Sequence, residues 1–247
     1  MNCALRVQAL RLRLSLAGKQ LNMKIYCISG IGGDRRLFKH IRLPEGYEVV
    51  PVDWIKPGPK EMLTDYAMRL SVQINAGEPF ILLGLSLGGM IAVEIAKRMP
   101  PVGTIMISSV PLSVQLPWYF KTARKWSLYN LVPASTFKFA AMLKRIYSRE
   151  SREDKRLILQ MIRQGDNRFI KWAMQAALEW ENEIAPTPLW HIHGDRDEVF
   201  PIQLTHPTHI IPRAGHFLLM SHSKEINDIL EEIILLQLDK IGNKQFI

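Results

Sequence analysis

The chain has 247 residues, 47% hydrophobic and 22% charged, which is enough to bury the core of one large domain and excludes a disordered chain. The formal net charge of +9 is unevenly spread, because residues 1–22 carry four basic and no acidic side chains and residues 111–187 carry thirteen basic and seven acidic ones. Without an arginine-rich array or a stacking aromatic motif, this charge does not indicate a nucleic-acid-binding protein.

The first 22 residues form an N-terminal extension of uncertain role. Three interpretations stay open: a targeting peptide, an edge strand from the LRLRLSL alternation, or residues added by a start codon upstream of Met23. The two cysteines, Cys3 and Cys27, do not indicate a disulfide framework, and no apolar run approaches the roughly 20 residues that span a bilayer. We therefore expect a cytoplasmic protein with no integral membrane association.

From Met23 onward, short β-branched or apolar runs alternate with helical patterns, which is typical of a parallel sheet covered on both faces. We predict six strands, at 24–29, 47–54, 80–86, 103–110, 189–194 and 208–215. Helical patterns lie between several of them, at 59–76, 87–98 and 223–238. The predicted fold class is α/β, with a mostly parallel central sheet flanked by helices on both faces.

Residues 111–187 break this alternation, because they have helical patterns rich in Lys, Arg, Met, Trp and Tyr, with prolines at both ends. A crossover between strands does not need that length. We predict a helical cap inserted into a core formed by residues 23–110 and 188–247. Most of its large apolar residues are expected to pack, with some of them lining a pocket: Trp118, Tyr119, Phe120, Trp126, Tyr129, Trp172, Met174 and Trp180.

The segment Gly84-Leu85-Ser86-Leu87-Gly88 lies between a predicted strand and a predicted helix. This G-x-S-x-G pattern is typical of a nucleophile on a sharp turn, where a side chain at either glycine would clash. The helix that follows directs its N-terminal amides at the serine, which favours a developing negative charge. We predict that Ser86 is a nucleophile with Gly84 and Gly88 as supporting turn residues; the alternative is an ordinary tight turn.

A serine hydroxyl needs a base, and the base needs an acid to orient it. Candidates for both follow predicted strands, since Asp195 and Asp197 come after LWHIHG and His216 comes after THIIPRA. With the order serine, acid, histidine, the sequence from Met23 to the C-terminus resembles the α/β-hydrolase superfamily, in its capped esterase, lipase and acyl-transfer branch.

The resemblance implies a role for each candidate. HGDRDEVFP matches the family pattern H-G-x-x-D-x-x-x-P, which makes Asp197 the acid and Asp195 the runner-up. Gly215-His216 matches the Gly-His pair that carries the base, so His216 is the predicted base. The implied activity is hydrolysis of a carboxylic ester or thioester through an acyl-enzyme on Ser86, with no cofactor and a small-molecule acyl substrate.

The resemblance also places Gly30-Ile31-Gly32-Gly33 at the family's oxyanion loop. The backbone N–H groups of Ile31 and Leu87 would then face the oxyanion, with Gly30 as a supporting turn residue. Two segments depart from the family pattern: Ser29 precedes Gly30 where the family often has histidine, and the loop after the second strand reads VDWIKPGP in place of D-x-x-G-x-G. The first departure is expected to alter how the loop is held.

Other functions stay open at this point. The same machinery could transfer the acyl group, cleave a C–C bond next to a ketone or act as a peptidase, and the fold could serve as a non-catalytic ligand-binding or interaction protein. The basic excess of the cap would suit an acidic acyl carrier or an acyl-CoA. The sequence does not indicate an oligomeric state.

Two weaker patterns have simpler explanations. His191 and His193 share one face of a predicted strand, but no third histidine follows at the required step, so we expect core roles and no metal site. The glycines after the first strand do not complete G-x-G-x-x-G because position 35 is Arg35, which disfavours a dinucleotide site. Surface or packing roles are expected for the histidines without a partner by spacing, His40, His206, His209 and His222.

Overall fold

The computed structural model describes residues 23–127, 131–146 and 150–244. The N-terminal extension, with Cys3, and Tyr129 lie outside the described residues, so the predictions made for them stay predictions. Within the described ranges, no helix is both long and apolar enough to cross a membrane.

Six parallel strands form the sheet of the described chain, in the order β2-β1-β3-β4-β5-β6. The strands are β1 Met23–Ile28, β2 Tyr47–Val52, β3 Phe80–Leu85, β4 Gly103–Ile107, β5 Leu189–Gly194 and β6 His209–Ile211. All six predicted strands are present, but β2, β4 and β6 end two or more residues earlier than predicted, and β1 and β3 end one residue earlier. The positive φ of 47° at Ser108 turns the chain out of the sheet after β4, and Pro212, which lacks an N–H group, follows β6.

Eight α-helices lie within the described residues: α1 Leu63–Leu70, α2 Leu87–Arg98, α3 Trp118–Lys125, α4 Ala134–Ile146, α5 Arg152–Gln164, α6 Asn167–Glu179, α7 Leu218–Ser221 and α8 Ser223–Lys244. The helix predicted at 59–76 is shorter than expected. Pro57 and Pro59 precede it in a loop, where the N–H of Gly58 donates to Glu61 Oε2 at 2.6 Å. This loop replaces the first helical turn that the sequence predicts.

Alternate residues of β1 face opposite sides of the sheet, as the pleat requires. Tyr26 and Ile28 belong to a buried cluster with α1, α2 and α6. Ile25 and Cys27 belong to a second buried cluster, with α5, α7 and α8. Helices therefore cover both faces of a parallel sheet, which confirms the predicted α/β fold class.

Helices α3 to α6 lie between β4 and β5, and the two chain segments that connect them to the sheet are tied to each other and to α2. The N–H of Ser113 donates to the carbonyl of Asn182 at 2.9 Å, and the N–H of Asn182 donates to Ser113 Oγ at 3.1 Å. Trp180 Nε1 donates to Glu94 Oε1 at 2.8 Å, and Lys97 Nζ lies 2.7 Å from Glu94 Oε2. The buried carboxylate of Glu94 therefore fixes the inserted helices to α2.

Candidate active site

Ser86 occupies the sharp turn between β3 and α2. Its backbone has φ 54° and ψ −119°, outside the regions that side-chain-bearing residues prefer, so the turn is strained. The N–H of Ser86 donates to the carbonyl of Ile107 at 3.0 Å, and its own carbonyl accepts from the N–H of Gly89 at 2.9 Å and from Ser109 Oγ at 2.7 Å. Contacts with β4, with the chain just after it and with the first turn of α2 therefore hold the strained conformation.

Gly84 and Gly88 lie where backbones approach too closely for a side chain. A Cβ atom on Gly84 would lie 2.3 Å from the carbonyl oxygen of Gly88, and a Cβ atom on Gly88 would lie 2.1 Å from that of Ile28. These atoms belong to the backbone and cannot move aside as a flexible side chain would. The absence of a side chain at both positions lets the turn close, and at Gly88 it also lets α2 pack against the end of β1.

His216, in the loop between β6 and α7, connects Ser86 with Asp197. Its Nε2 atom lies 2.9 Å from Ser86 Oγ. Its Nδ1 atom lies 2.9 Å from Asp197 Oδ2 and 3.1 Å from Asp197 Oδ1. The three side chains follow β3, β5 and β6, whose carboxyl ends meet at one edge of the parallel sheet. The structure therefore brings together the residues predicted as nucleophile, base and acid.

The carboxylate of Asp197 is buried and accepts several hydrogen bonds. Its Oδ1 atom accepts from the backbone N–H groups of Val199 at 2.8 Å and Phe200 at 2.9 Å. Burial raises the pKa of Asp197, but the charge and hydrogen bond of His216, with the backbone N–H of Phe200, outweigh it and lower the pKa to about 2. Asp195, the alternative acid, is exposed. Asp197 is the carboxylate that can orient His216.

Two buried histidines form a pair behind Asp197. Since a carbonyl can only accept, His193 Nε2 donates to the carbonyl of Phe200 at 2.8 Å, and its Nδ1 atom accepts from His191 Nε2 at 3.1 Å. Burial lowers the pKa of both imidazoles, that of His191 to about 3. Both are therefore neutral near neutral pH and support the loop that carries Asp197. Across the described ranges, no three His, Cys, Asp or Glu side chains are grouped so that they could hold a metal ion.

Residues 30–33 form a tight turn beside Ser86. The N–H of Gly33 donates to the carbonyl of Gly30 at 3.0 Å, and Gly32 has φ 75°, as the third residue of a type II turn requires. A Cβ atom on Gly30 would lie 3.1 Å from Ser86 Cβ and 3.6 Å from Ser86 Oγ. The amide of Ile31 is on this turn and that of Leu87 begins α2, so both predicted oxyanion donors are on segments that border Ser86.

Three further side chains hold the turn at Ser86 and the turn at residues 30–33, and no sequence motif predicted them. Ser109 binds the carbonyl of Ser86, as described above. Ser29 Oγ and Trp54 Nε1 both donate to the carbonyl of Gly33, at 3.1 and 2.9 Å. Ser29 and Trp54 fall in the two segments that depart from the family pattern, which is the signal that could have found them.

A cavity of about 480 Å³ extends from Ser86 and His216 to the inserted helices. Each inserted helix contributes apolar side chains to its wall, among them Phe120 of α3, Phe137 of α4, Met161 of α5 and Met174 of α6. Glu198 is the one charged residue of the described lining, and it lies near its rim as an exposed residue. The cavity therefore suits an uncharged, apolar group.

The large apolar residues predicted for the insertion have different environments. Tyr119, Phe120 and Met174 line the cavity, and Trp172 and Trp180 are buried. Trp118 and Trp126 are 74% and 68% exposed, so these two do not show the packing expected for most of the set. Tyr119 and Phe120 lie on the face of α3 that borders the cavity, and Trp118 therefore lies on the outer face of the helix.

Known families and structures share this architecture. The model of a family described as "Alpha/beta hydrolase family" matches residues 25–229. A thermophilic esterase from Thermogutta terrifontis is 17% identical, with 87% of this chain and 90% of that chain covered and a TM-score of 0.65. MenH from S. aureus is 16% identical, with coverages of 90% and 96% and a TM-score of 0.63.

A lipase-esterase related protein from Clostridium acetobutylicum ATCC 824 is 15% identical, with coverages of 86% and 95% and a TM-score of 0.61. At these identities the solved structures support the fold alone. No curated protein matches the chain.

Proposed function

The chain belongs to the alpha/beta hydrolase family, and from this membership we propose that it is a serine hydrolase that cleaves a carboxylic ester or thioester. The observation that carries the proposal is the continuous chain of contacts from Ser86 through His216 to Asp197, with distances of 2.9 Å at each step. An ordinary tight turn would not need a buried imidazole and a buried carboxylate in line with its serine.

The reaction follows from this geometry. Ser86 Oγ attacks the acyl carbonyl while His216 Nε2 accepts its proton, and Asp197 stabilises the imidazolium that forms. The backbone N–H groups of Ile31 and Leu87 stabilise the oxyanion of the tetrahedral intermediate. His216 then gives the proton to the leaving alcohol or thiol, and water, activated by the same imidazole, resolves the acyl-enzyme.

The acyl group is proposed to bind in the apolar cavity. The inserted helices of residues 111–187 lie above this cavity and act as a cap. The cavity of about 480 Å³ suits an acyl group of small to medium size. Three of the cap's basic residues, Lys121, Arg124 and Lys125, line a different groove that borders α3. They act outside the acyl cavity, so we expect neutral esters to be substrates.

A cytoplasmic location belongs to the same proposal. Cys27 is a free thiol buried in β1, where burial raises its pKa and keeps it protonated. A buried, unmodified thiol in the core is compatible with a reducing compartment.

Hydrolysis of neutral p-nitrophenyl esters tests the proposal, with His216→Ala as the decisive variant. We expect turnover by the wild-type protein and a kcat loss of about 10³-fold in His216→Ala, because the general base is removed. His206→Ala, at an exposed position, is the matched control and is expected to keep full activity. Absence of turnover by the folded wild-type protein across an acyl-length series would contradict the proposal and favour a non-catalytic role.

A further inference from the structure

The carbonyl of Gly33 accepts hydrogen bonds from two side chains that come from different parts of the chain. Ser29 Oγ donates to it at 3.1 Å and Trp54 Nε1 at 2.9 Å. A carbonyl oxygen has two lone pairs, so these donors use its full capacity. Gly33 also closes the turn that carries the Ile31 amide, through its N–H bond to Gly30 at 3.0 Å.

Trp54 is a firmly held donor because the loop around it is fixed on both sides. The backbone of Asp53 pairs with the side chain of Gln73, which accepts from the Asp53 N–H at 3.0 Å and donates to the Asp53 carbonyl at 2.8 Å. The hydroxyl of Tyr66 accepts from the N–H of Ile55 at 3.1 Å and donates to its carbonyl at 2.8 Å. The indole therefore has little freedom to follow a displaced acceptor.

The other side of the indole contacts the inserted helices. The Trp54 ring lies 4.9 Å from that of Phe169 in α6 and 6.4 Å from that of Tyr66, measured between centroids. Trp172, also in α6, lies 4.2 Å from Tyr66 and donates from Nε1 to the carbonyl of Glu61 at 2.8 Å. Trp54 thus joins α6 directly to the turn beside Ser86.

Close packing fixes only part of this turn: a Cβ atom on Gly33 would lie 2.3 Å from Leu37 Cδ1, whereas the side that carries Gly32 is open. A groove of about 360 Å³ borders it and is lined by Gly32, Gly33, Trp54 and Phe169, among others. A Cβ atom on Gly32 would meet nothing within 4 Å. Glycines also leave the backbone unusually free. The hydrogen bonds to Gly33 therefore hold the turn where packing leaves it open.

We propose that Trp54 is a positioning residue for the oxyanion hole: through Gly33 it holds the amide of Ile31 at the distance that the transition state requires. This inference rests on the proposed hydrolase function. A small displacement of an oxyanion donor weakens binding of the tetrahedral intermediate and leaves binding of the ground-state acyl group in the cavity unchanged.

Trp54→Phe tests the inference, because it removes the indole N–H and keeps a ring against Phe169. Trp172→Phe is the matched control, since it removes an equivalent indole N–H in the same aromatic cluster that donates to Glu61. For each variant, kcat and KM are measured on a neutral p-nitrophenyl ester, with the affinity for a boronic acid that forms a tetrahedral adduct on serine and the thermal midpoint.

We expect Trp54→Phe to lower kcat by about tenfold with KM within about twofold, which is less than the loss of about 10²-fold or more that follows removal of an oxyanion donor. Affinity for the boronic acid should fall by the same factor. Trp172→Phe should change neither kcat nor the affinity for the boronic acid, even where its thermal midpoint falls as far as that of Trp54→Phe. Ser29→Ala removes the second donor, and the double variant should lose more kcat than the product of the single losses, because both donors hold one carbonyl.

Three results would overturn the inference: an unchanged kcat in Trp54→Phe, equal kcat losses in Trp54→Phe and Trp172→Phe, or a loss confined to KM. With an active wild-type protein, any of these leaves the proposed hydrolase function standing. A wild-type protein without turnover would overturn both.

Discussion

For Asp197→Asn, the structure determines both how the new side chain is oriented and which tautomer His216 must adopt. The backbone N–H groups of Val199 and Phe200 both donate to Oδ1. An asparagine at this position keeps its carbonyl oxygen there, because its amide nitrogen cannot accept those two bonds. The NH2 group then takes the place of Oδ2 and faces His216 Nδ1, which Oδ2 contacts at 2.9 Å. His216 must then accept at Nδ1 and carry its proton on Nε2, opposite Ser86.

This wrong tautomer removes the general base. Because the pKa of Asp197 is lowered to about 2, the wild-type carboxylate is ionised near neutral pH, and the substitution removes a full charge. Loss of one charge-assisted hydrogen bond would cost about 2 kcal/mol, which is roughly 30-fold in rate. Reversal of the tautomer adds to this, and we expect kcat to fall by about 10⁴-fold, as in other triads with this change.

Steady-state hydrolysis of a p-nitrophenyl ester at neutral pH measures the effect, with Asp195→Asn as the matched control. Asp195 is two residues away and exposed, so its variant should keep wild-type kcat. A loss below about tenfold in Asp197→Asn, or a large loss in Asp195→Asn, would refute the reasoning that assigns Asp197 to His216.

Three further predictions concern the turn, the cavity and the inserted helices. In urea titrations, Gly88→Ala should lower the free energy of unfolding by about 3 kcal/mol, because its Cβ would lie 2.1 Å from a backbone oxygen. Gly77→Ala is the control: its Cβ would meet only a side chain, at 3.2 Å, so the free energy of unfolding should change by no more than about 0.5 kcal/mol. For straight-chain esters, kcat/KM should rise roughly fourfold per methylene until the cavity is full, since each buried methylene contributes about 0.8 kcal/mol; a flat series would contradict acyl binding there. Burial raises the pKa of Asp154, but its contacts with Lys39, His40 and Ser151 outweigh this effect and lower the pKa to about 2. The ionised side chain therefore stabilises the folded protein fully above the unfolded pKa of about 3.9, and this stabilisation is lost as the pH falls through about 2. Asp154→Asn should therefore cost about 1 kcal/mol at neutral pH and progressively less from pH 4 to pH 2 in urea titrations; a cost independent of pH would contradict this.

The strands and the serine turn were predictable because their signals are local. Each buried strand is a short apolar run bounded by turn residues, and Gly84 is needed by its contact with Gly88, within five consecutive residues. The contact of Gly88 with Ile28 of β1 is not local, and the sequence does not show it. The order of Ser86, Asp197 and His216 along the chain, with the family patterns around them, was sufficient to predict three roles from the resemblance. Whether those side chains meet depends on strand order in the sheet, which only the structure provides.

Contacts between distant parts of the chain were not predictable from spacing. His40 seemed to lack a partner, yet its Nε2 atom lies 3.0 Å from Asp154, a residue of the insertion that is 114 positions away. The hydrogen bond from Trp54 to Gly33 is of the same kind. The exposure of Trp118 depends on which face of α3 meets the cavity, and the composition of the helix does not determine that.

Covalent labelling with a fluorophosphonate tests most directly whether Ser86 is an activated nucleophile. Our expectation is a stoichiometric adduct that maps to the peptide containing Ser86, is absent in Ser86→Ala and forms much more slowly in His216→Ala, with circular dichroism showing that both variants are folded. A folded wild-type protein that takes up no label, or a label that persists in Ser86→Ala, would contradict it.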